Sequence, residues 1–143
     1  MSTKVTVSSA DSGLRQTIIA GSHSFIADAP KAVGGNEEGA DPHQLLLSSL
    51  GACTAMTLQI FAGKRNWPLK HVRVELEEEQ TDDPQTPGQK RTIFKRNIEV
   101  AGDLTQEQID TLKNIADKCP VHKILTGPKD ITTGIKHTAG AKA

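Results

Sequence analysis

The longest apolar stretch of the chain runs from Pro42 to Gly63 and contains no Asp, Glu, Lys or Arg. Asp41 is a good N-cap, Pro42 suits the first helical position, and Trp67-Pro68 would end the helix. Apolar side chains fall on nearly all of its faces: Leu45, Leu46, Leu47, Leu50, Met56, Leu58, Ile60 and Phe61. Such a helix lies either at the centre of a fold or in a membrane. Because the stretch also contains histidine, glutamine, serine and threonine, we predict a buried core helix with Cys53 at its middle.

One strip of this helix carries only small side chains. Ser48, Gly51, Ala52 and Ala55 lie three or four residues apart, so another backbone can approach the helix closely there. The alternative is that Gly51 only loosens the helix interior, at a cost of about 1 kcal/mol relative to alanine. We expect a close helix crossing, which would place the thiol of Cys53 in a crowded contact between elements.

The segments before the helix favour extended structure. Residues 3–7 and 14–27 contain alternating or paired β-branched residues separated by turn residues, which predicts a meander of two or three strands. The composition then changes to a glycine-rich loop from Ala29 to Ala40, which leads the chain into the helix.

A long hairpin is predicted after the helix. Val72, Val74 and Leu76 alternate with charged residues, and residues 91–100 are expected to pair with them across a loop over residues 81–90. The acidic run at residues 77–79 is interpreted as the charged end of the first strand rather than a metal site, since consecutive strand residues point to opposite faces.

An amphipathic helix and a last strand complete the predicted order. Thr105 is an N-cap with Gln108 three residues later, and the helix is interrupted at Cys119-Pro120, where Pro120 can open a further turn. Residues 131–137 are predicted to form the last strand. The pattern indicates an α+β fold with a largely antiparallel sheet. So short a chain cannot cover an all-apolar helix alone, and we therefore expect a homodimer.

Composition narrows the classes of function. The 143 residues predict one domain spanning residues 1–143, large enough to fold without disulfides. Acidic and basic residues balance at 17 each with no basic block, so nucleic acids and anionic membranes are poor candidate partners. The N-terminus has no apolar run after its first charge, which predicts a cytoplasmic protein with reduced thiols.

The two cysteines carry the candidate chemistry. Cys53 by itself is interpreted first as a small hydrophobic residue. Cys119, however, precedes a proline-opened turn whose free N–H groups favour a thiolate, so a dithiol pair is a second interpretation. A zinc site built from Cys119 and His122 with Cys53 and His43 as further ligands is a weaker alternative, because His43 and Cys53 are about 15 Å apart along a helix and could join one site only across a dimer. No histidine lies at helical spacing from Cys53, so activation needs a cation, and Arg15 is a candidate.

Several blocks together carry a resemblance to a known family. They are Gly34-Gly35, the run from Asp41 to Leu47, Leu50-Gly51-Ala52-Cys53-Thr54-Ala55-Met56-Thr57, Trp67-Pro68-Leu69 and Cys119-Pro120-Val121-His122. Their order and spacing resemble the OsmC/Ohr family of thiol peroxidases over nearly the whole chain. The resemblance implies an OsmC-like fold, an intertwined homodimer with two active sites at the interface, and reduction of organic hydroperoxides, with hydrogen peroxide a weaker substrate.

The resemblance also implies roles for individual residues. Cys53 matches the peroxide-attacking cysteine of the family, Cys119 its resolving cysteine, and Arg15 the arginine that holds the thiolate. One position departs from the family: its glutamate before the leucine run is replaced, since His43 and Gln44 stand there. Another carboxylate would have to hold Arg15, and the candidates are Glu37, Glu38 and Asp41.

The implied cycle needs no bound cofactor. The Cys53 thiolate attacks the peroxide and becomes a sulfenic acid, Cys119 condenses with it to a disulfide, and a dithiol reductant restores both thiols. The alternative is an OsmC-like protein of little or no activity that binds a small apolar ligand.

Overall fold

Residues 2–140 are described by a computed structural model that contains strands and helices. The elements, in chain order, are β1 (Thr6–Ser9), β2 (Gln16–Ala20), β3 (His23–Ala27), α1 (Pro42–Lys64), β4 (His71–Asp82), β5 (Lys90–Ala101), α2 (Gln106–Ile115) and α3 (Pro120–Thr126), with short 3-10 turns at Lys31–Val33 and Ala116–Lys118. β1, β2 and β3 form one antiparallel sheet, and β4 and β5 form another. The predicted α+β class with antiparallel pairing is confirmed.

Helix α1 begins where the sequence predicts. Asp41 accepts a hydrogen bond from the Gln44 N–H at 2.9 Å, and the Gln44 side chain accepts one from the Asp41 N–H at 3.0 Å. This reciprocal cap satisfies N–H groups that the first turn leaves unpaired. α1 is long and apolar enough to cross a membrane by length and composition alone. Its packing against β4, α2 and α3 is that of a core helix.

The burial of α1 is confined to one face within a single chain. The buried residues are Leu50, Gly51, Thr54, Leu58 and Ala62, which recur at spacings of one, three or four. Three large apolar side chains elsewhere on the helix stay exposed: Leu46, Met56 and Ile60. The helix is therefore central to the fold, and much of its apolar surface is left uncovered by its own chain.

The strip of small residues is approached by a strand rather than by a helix. A Cβ added to Gly51 would lie 2.7 Å from Cδ1 of Leu76, so β4 packs directly on the glycine. Ser48, Ala52 and Ala55 line an open groove beside β4. The expected close crossing thus takes the form of helix against sheet in this chain.

The long hairpin alternates in burial as predicted, but its first strand is longer than expected. Val74 pairs with Ile98, Leu76 with Arg96, and Glu78 with Phe94, all on the half-buried face. Because β4 continues to Asp82, the acidic run lies inside the strand and not at its end. The period of two then turns Glu78 inward, toward α1.

A small core joins α1 to the C-terminal helices. Leu58, Leu112 and Ala116 form its buried cluster, and the predicted capping box of Thr105 and Gln108 starts α2. The predicted last strand at residues 131–137 is wrong: this part of the described chain pairs with no strand, and Ile131 and Ile135 are 91% and 100% exposed. A strand needs a neighbour to take its backbone hydrogen bonds, and no strand of the described chain lies paired with this segment.

Candidate functional site

The fold brings the two cysteines into contact. Cys53 lies in the middle of α1 and is partly exposed, whereas Cys119 lies between the 3-10 turn at Ala116–Lys118 and α3 and is fully buried. Their thiols are free and hydrogen-bonded to each other. Residues far apart in the sequence therefore form a reduced dithiol in which each thiol shifts the pKa of the other.

The surroundings of Cys119 favour its thiolate. Burial by itself raises the pKa of Cys119, but the Cys53 thiol, the backbone N–H groups of His122 and Val121, and the Thr54 hydroxyl together bring it below its ordinary value. These N–H groups are available because Pro120 opens α3 and the first turn of a helix leaves its N–H groups unpaired.

The surroundings of Cys53 favour its protonated form. Burial and the hydrogen bond to Cys119 raise the pKa of Cys53, and the Val121 N–H and Thr57 hydroxyl offset this only in part. The backbone N–H groups of α1 beside Cys53 are used within the helix. The two thiols interact, and their contacts place the higher pKa on Cys53 and the lower pKa on Cys119.

An arginine that the sequence analysis missed stands beside this pair. Nη1 of Arg96 donates to Oγ1 of Thr54 at 3.2 Å, and Nη2 donates to Oδ1 of Asp117 at 3.0 Å. The side chain of Arg96 is only 13% exposed. The signal was present in the sequence, because Arg96 occupies an inward position between Phe94 and Ile98 in an alternating strand.

Arg15, the arginine chosen from the sequence, is held elsewhere in the single chain. Its Nη1 donates to Oε2 of Glu38 at 3.0 Å, and about half of each side chain is exposed. The groups that shift the two thiols come from α1 and residues 119–122, and Arg15 is not among them. Of the carboxylates left open by the sequence, Glu38 pairs with Arg15, and Asp41 caps α1.

A buried carboxylate orders the loop that presents Glu38. Asp28 accepts hydrogen bonds from the N–H groups of Ala29, Asn36 and Glu38 at 2.7, 3.2 and 3.2 Å. Although burial raises the pKa of Asp28, these bonds and the charge of Arg15 lower it further than burial raises it. Gly35 is needed in this loop because a Cβ would collide with the Ala29 carbonyl.

His43, which replaces the family glutamate, has a different partner. Its Nδ1 lies 2.8 Å from Oε2 of Glu78, the inward-facing residue of β4. The hydrogen bond to Glu78, and then its charge, raise the pKa of His43. This pair ties the first turn of α1 to β4. Within residues 2–140, no group of three or more His, Cys, Asp or Glu side chains could hold a metal ion, which gives the zinc alternative no support.

A cavity of about 380 Å³ adjoins the arginine. Its walls are both apolar and polar, and are formed by Leu50, Phe94, Arg96, His122, Leu125 and Thr126. Since Leu50 precedes Cys53 by one helical turn and His122 lies one turn beyond Cys119, the cavity lies against the elements that carry the thiols.

Comparison with known proteins gives a consistent picture. A protein from Psychrobacter arcticus 273-4 named for osmotic stress induction and detoxification response is 25% identical, with a TM-score of 0.70 and coverage of 87% of this chain and 88% of that chain. An OsmC-like protein from Mycoplasma pneumoniae is 21% identical, with a TM-score of 0.72 and coverage of 89% of both chains. The organic hydroperoxide resistance protein OhrB of Bacillus subtilis is 23% identical, with a TM-score of 0.61 and coverage of 89% and 92%.

No curated protein matches the chain in sequence. The family model described as OsmC-like protein matches residues 34–134, which include α1, both long strands and both cysteines. The chain therefore belongs to the OsmC-like protein family.

Proposed function

We propose that this protein is a cysteine-based peroxidase that reduces organic hydroperoxides, and hydrogen peroxide more weakly, to alcohols or water. The observation that carries the proposal is the hydrogen-bonded pair of free thiols, one partly exposed and one buried. The names of structural neighbours from Bacillus subtilis and Legionella pneumophila refer to organic hydroperoxide resistance, which supports the same class of activity.

In the first step Cys53 attacks, because its sulfur is the one that a substrate can reach. The Cys119 thiolate accepts the proton of Cys53 through the hydrogen bond between them, and Cys53 forms a bond to the terminal oxygen of the hydroperoxide. The O–O bond breaks, Cys53 becomes a sulfenic acid, and the alkoxide takes the proton from Cys119 to leave as an alcohol.

In the second step Cys119, again a thiolate, attacks the sulfur of the sulfenic acid. A disulfide forms and hydroxide leaves, which becomes water on protonation. A cytoplasmic dithiol donor then reduces the disulfide by thiol–disulfide exchange and is itself oxidised. Arg15, anchored by Glu38, is proposed to support the Cys53 thiolate once the subunits of a dimer close around the site.

The proposed dimer rests on the uncovered face of α1. Cys53 lies seven residues after Leu46 and seven before Ile60, so all three share one helix face, with Met56 nearby. Met56 and Ile60 are each 59% exposed in the single chain. A second copy covering this face would place Cys53 in an apolar interface, which favours bulky organic peroxides over hydrogen peroxide.

The test uses reduced protein and one equivalent of cumene hydroperoxide under anaerobic conditions. We expect the intact mass to fall by two hydrogens, peroxide consumption to be abolished in Cys53→Ser, and Cys119→Ser to complete one turnover and then stop with an oxidised Cys53. Wild-type rates in Cys53→Ser would refute the proposal. Unchanged mass of the wild-type protein would favour the ligand-binding alternative.

A further inference from the structure

The guanidinium of Arg96 lies between the two segments that carry the cysteines. It donates to Thr54, which directly follows Cys53 on α1, and to Asp117, which lies two residues before Cys119. The Thr54 hydroxyl donates to the Leu50 carbonyl oxygen at 2.7 Å and lies close enough to Cys119 to lower the pKa of that thiol. One mostly buried cation therefore reaches both sides of the dithiol through single intermediate residues.

We propose that Arg96 is a positioning residue of the dithiol, which holds Thr54 so that its hydroxyl donates to the sulfur of Cys119. The importance of this role for turnover rests on the proposed function. The arrangement itself is a property of the reduced protein and can be tested without peroxide.

The argument begins with the hydrogen-bonding capacity of Thr54. A hydroxyl has one hydrogen to donate and two lone pairs, and a guanidinium can only donate. Arg96 therefore occupies a lone pair of Thr54 Oγ1, and the hydroxyl hydrogen must go to an acceptor. Two acceptors are within reach: the Leu50 carbonyl oxygen at 2.7 Å and the sulfur of Cys119.

The charge on Cys119 decides between these acceptors. A neutral thiol is a weak acceptor, so the hydroxyl hydrogen goes to Leu50; a thiolate is a charged acceptor and draws the hydrogen to itself. With Arg96 present only one lone pair of Thr54 Oγ1 is left to accept the S–H of Cys119; without Arg96 both are free and the hydroxyl can turn, which favours the protonated form.

The ion pair with Asp117 acts in the same direction. The titratable groups around Cys119 are Cys53 on α1, Arg96 on β5, and Asp117 and His122 on the segment of Cys119 itself. Arg96 neutralises the carboxylate of Asp117, which would otherwise oppose a nearby thiolate. Loss of Arg96 thus removes the residue that holds Thr54 in place and leaves the carboxylate of Asp117, two residues before Cys119, without its arginine partner.

The experiment follows the thiolate of Cys119 alone. In the full-length Cys53→Ser protein, Cys119 is the remaining cysteine, and its ultraviolet thiolate absorbance is titrated against pH. We compare Arg96→Gln with Arg73→Gln, an exposed arginine on the paired strand. We expect the midpoint to rise in Arg96→Gln and to stay in place in Arg73→Gln. For each unit of rise, thiolate below the midpoint falls roughly tenfold.

The hydroxyl of Thr54 supplies the second arm of the test. Thr54→Val keeps the shape but removes the donor, and it should raise the midpoint; Thr54→Ser keeps the donor and should leave it in place. Arg96→Gln should raise the midpoint less when added to Thr54→Val than when added alone, because both act through one hydrogen bond.

An unmoved midpoint in Arg96→Gln, or equal increments in both backgrounds, would overturn the inference. If Arg96→Gln does not fold, the comparison of Thr54→Val with Thr54→Ser decides, and equal midpoints in these two variants would overturn it. Failure of the wild-type protein to form a disulfide with peroxide, with the midpoints moving as expected, would instead remove the peroxidase proposal and leave the role of Arg96 standing.

Discussion

Truncation of Leu58 provides the sharpest test of how the C-terminal helices hold the candidate site. Leu58 is 0% exposed and packs with Leu112 and Ala116, which are 2% and 1% exposed. This cluster joins α1 to α2 and to the 3-10 turn that ends directly before Cys119. Leu58→Ala removes buried methyl groups and leaves a cavity, so we expect the free energy of unfolding to fall by about 3 kcal/mol, within a range of roughly 2–5 kcal/mol.

The assay is urea denaturation of the reduced protein, followed by far-ultraviolet circular dichroism at one fixed protein concentration, because association would shift the midpoint. Gln59→Ala is the matched control: its side chain is exposed on the next position of the same helix, and its effect should stay within about 0.5 kcal/mol. We also expect the Cys119 thiol to react faster with a disulfide reagent in Leu58→Ala, since the turn before it loses its anchor. A cost below about 1 kcal/mol for Leu58→Ala, at an unchanged denaturant slope, would refute the packing of α2 on α1.

Three further predictions address the thiols, the loop and the surface of α1. Cys119→Ala should lower the pKa of Cys53, because it removes a hydrogen bond that raises it, and Cys53→Ala should raise the pKa of Cys119, because it removes one that lowers it. Thiolate absorbance against pH measures both pKa values, and shifts of the same sign in the two variants would contradict the interaction between the thiols. Asp28→Asn should destabilise the protein by the full amount above pH 3.8, the ordinary pKa of the carboxyl, and by less as the pH falls through the lower pKa of the folded state. Melting temperatures of both proteins across that range measure the difference, and a difference that does not change with pH would count against this prediction. Ile60→Glu should convert a dimer to a monomer in sedimentation experiments while Gln59→Glu should not, and identical profiles for the two would argue against this face as the interface.

The elements that sequence could predict are those fixed by local interactions. The start of α1 depends on residues three apart, Asp41 and Gln44, and the start of α2 on Thr105 and Gln108. The hairpin follows from a period of two that both strands keep. The strand predicted at residues 131–137 is not formed. Its β-branched residues favour extended structure, but whether they pair depends on whether a sheet edge lies beside them.

The candidate site was predictable only in part, because its geometry depends on contacts between distant segments. The resemblance to a family indicated both cysteines, but the choice of a cation from the N-terminal strands led to Arg15, which pairs with Glu38 in this chain. Arg96 was not predicted as a site residue because residues 91–100 were assigned to a strand without separating the positions that face inward from those that face solvent. A charged residue at an inward position of an alternating strand needs a polar partner, and Arg96 has two: Thr54, which is buried, and Asp117, which is largely exposed.

The positions of the two thiols divide the requirements of the proposed reaction between them. The backbone N–H groups beside a cysteine in the middle of a helix are already bonded within the helix, so they do little to stabilise its thiolate. Cys53 is therefore accessible to substrate, but the helix around it does not favour its ionisation. A cysteine at a helix break has free N–H groups beside it, and these help to lower the pKa of Cys119, but the thiol of Cys119 is fully buried and out of reach of substrate. In the proposed first step the proton passes from Cys53 to Cys119 along the hydrogen bond between them. A group that stabilises the Cys119 thiolate raises the share of protein in which Cys119 is ionised and lowers the basicity of that thiolate, so in the proposed reaction Arg96 bears first on which of the two thiols is ionised.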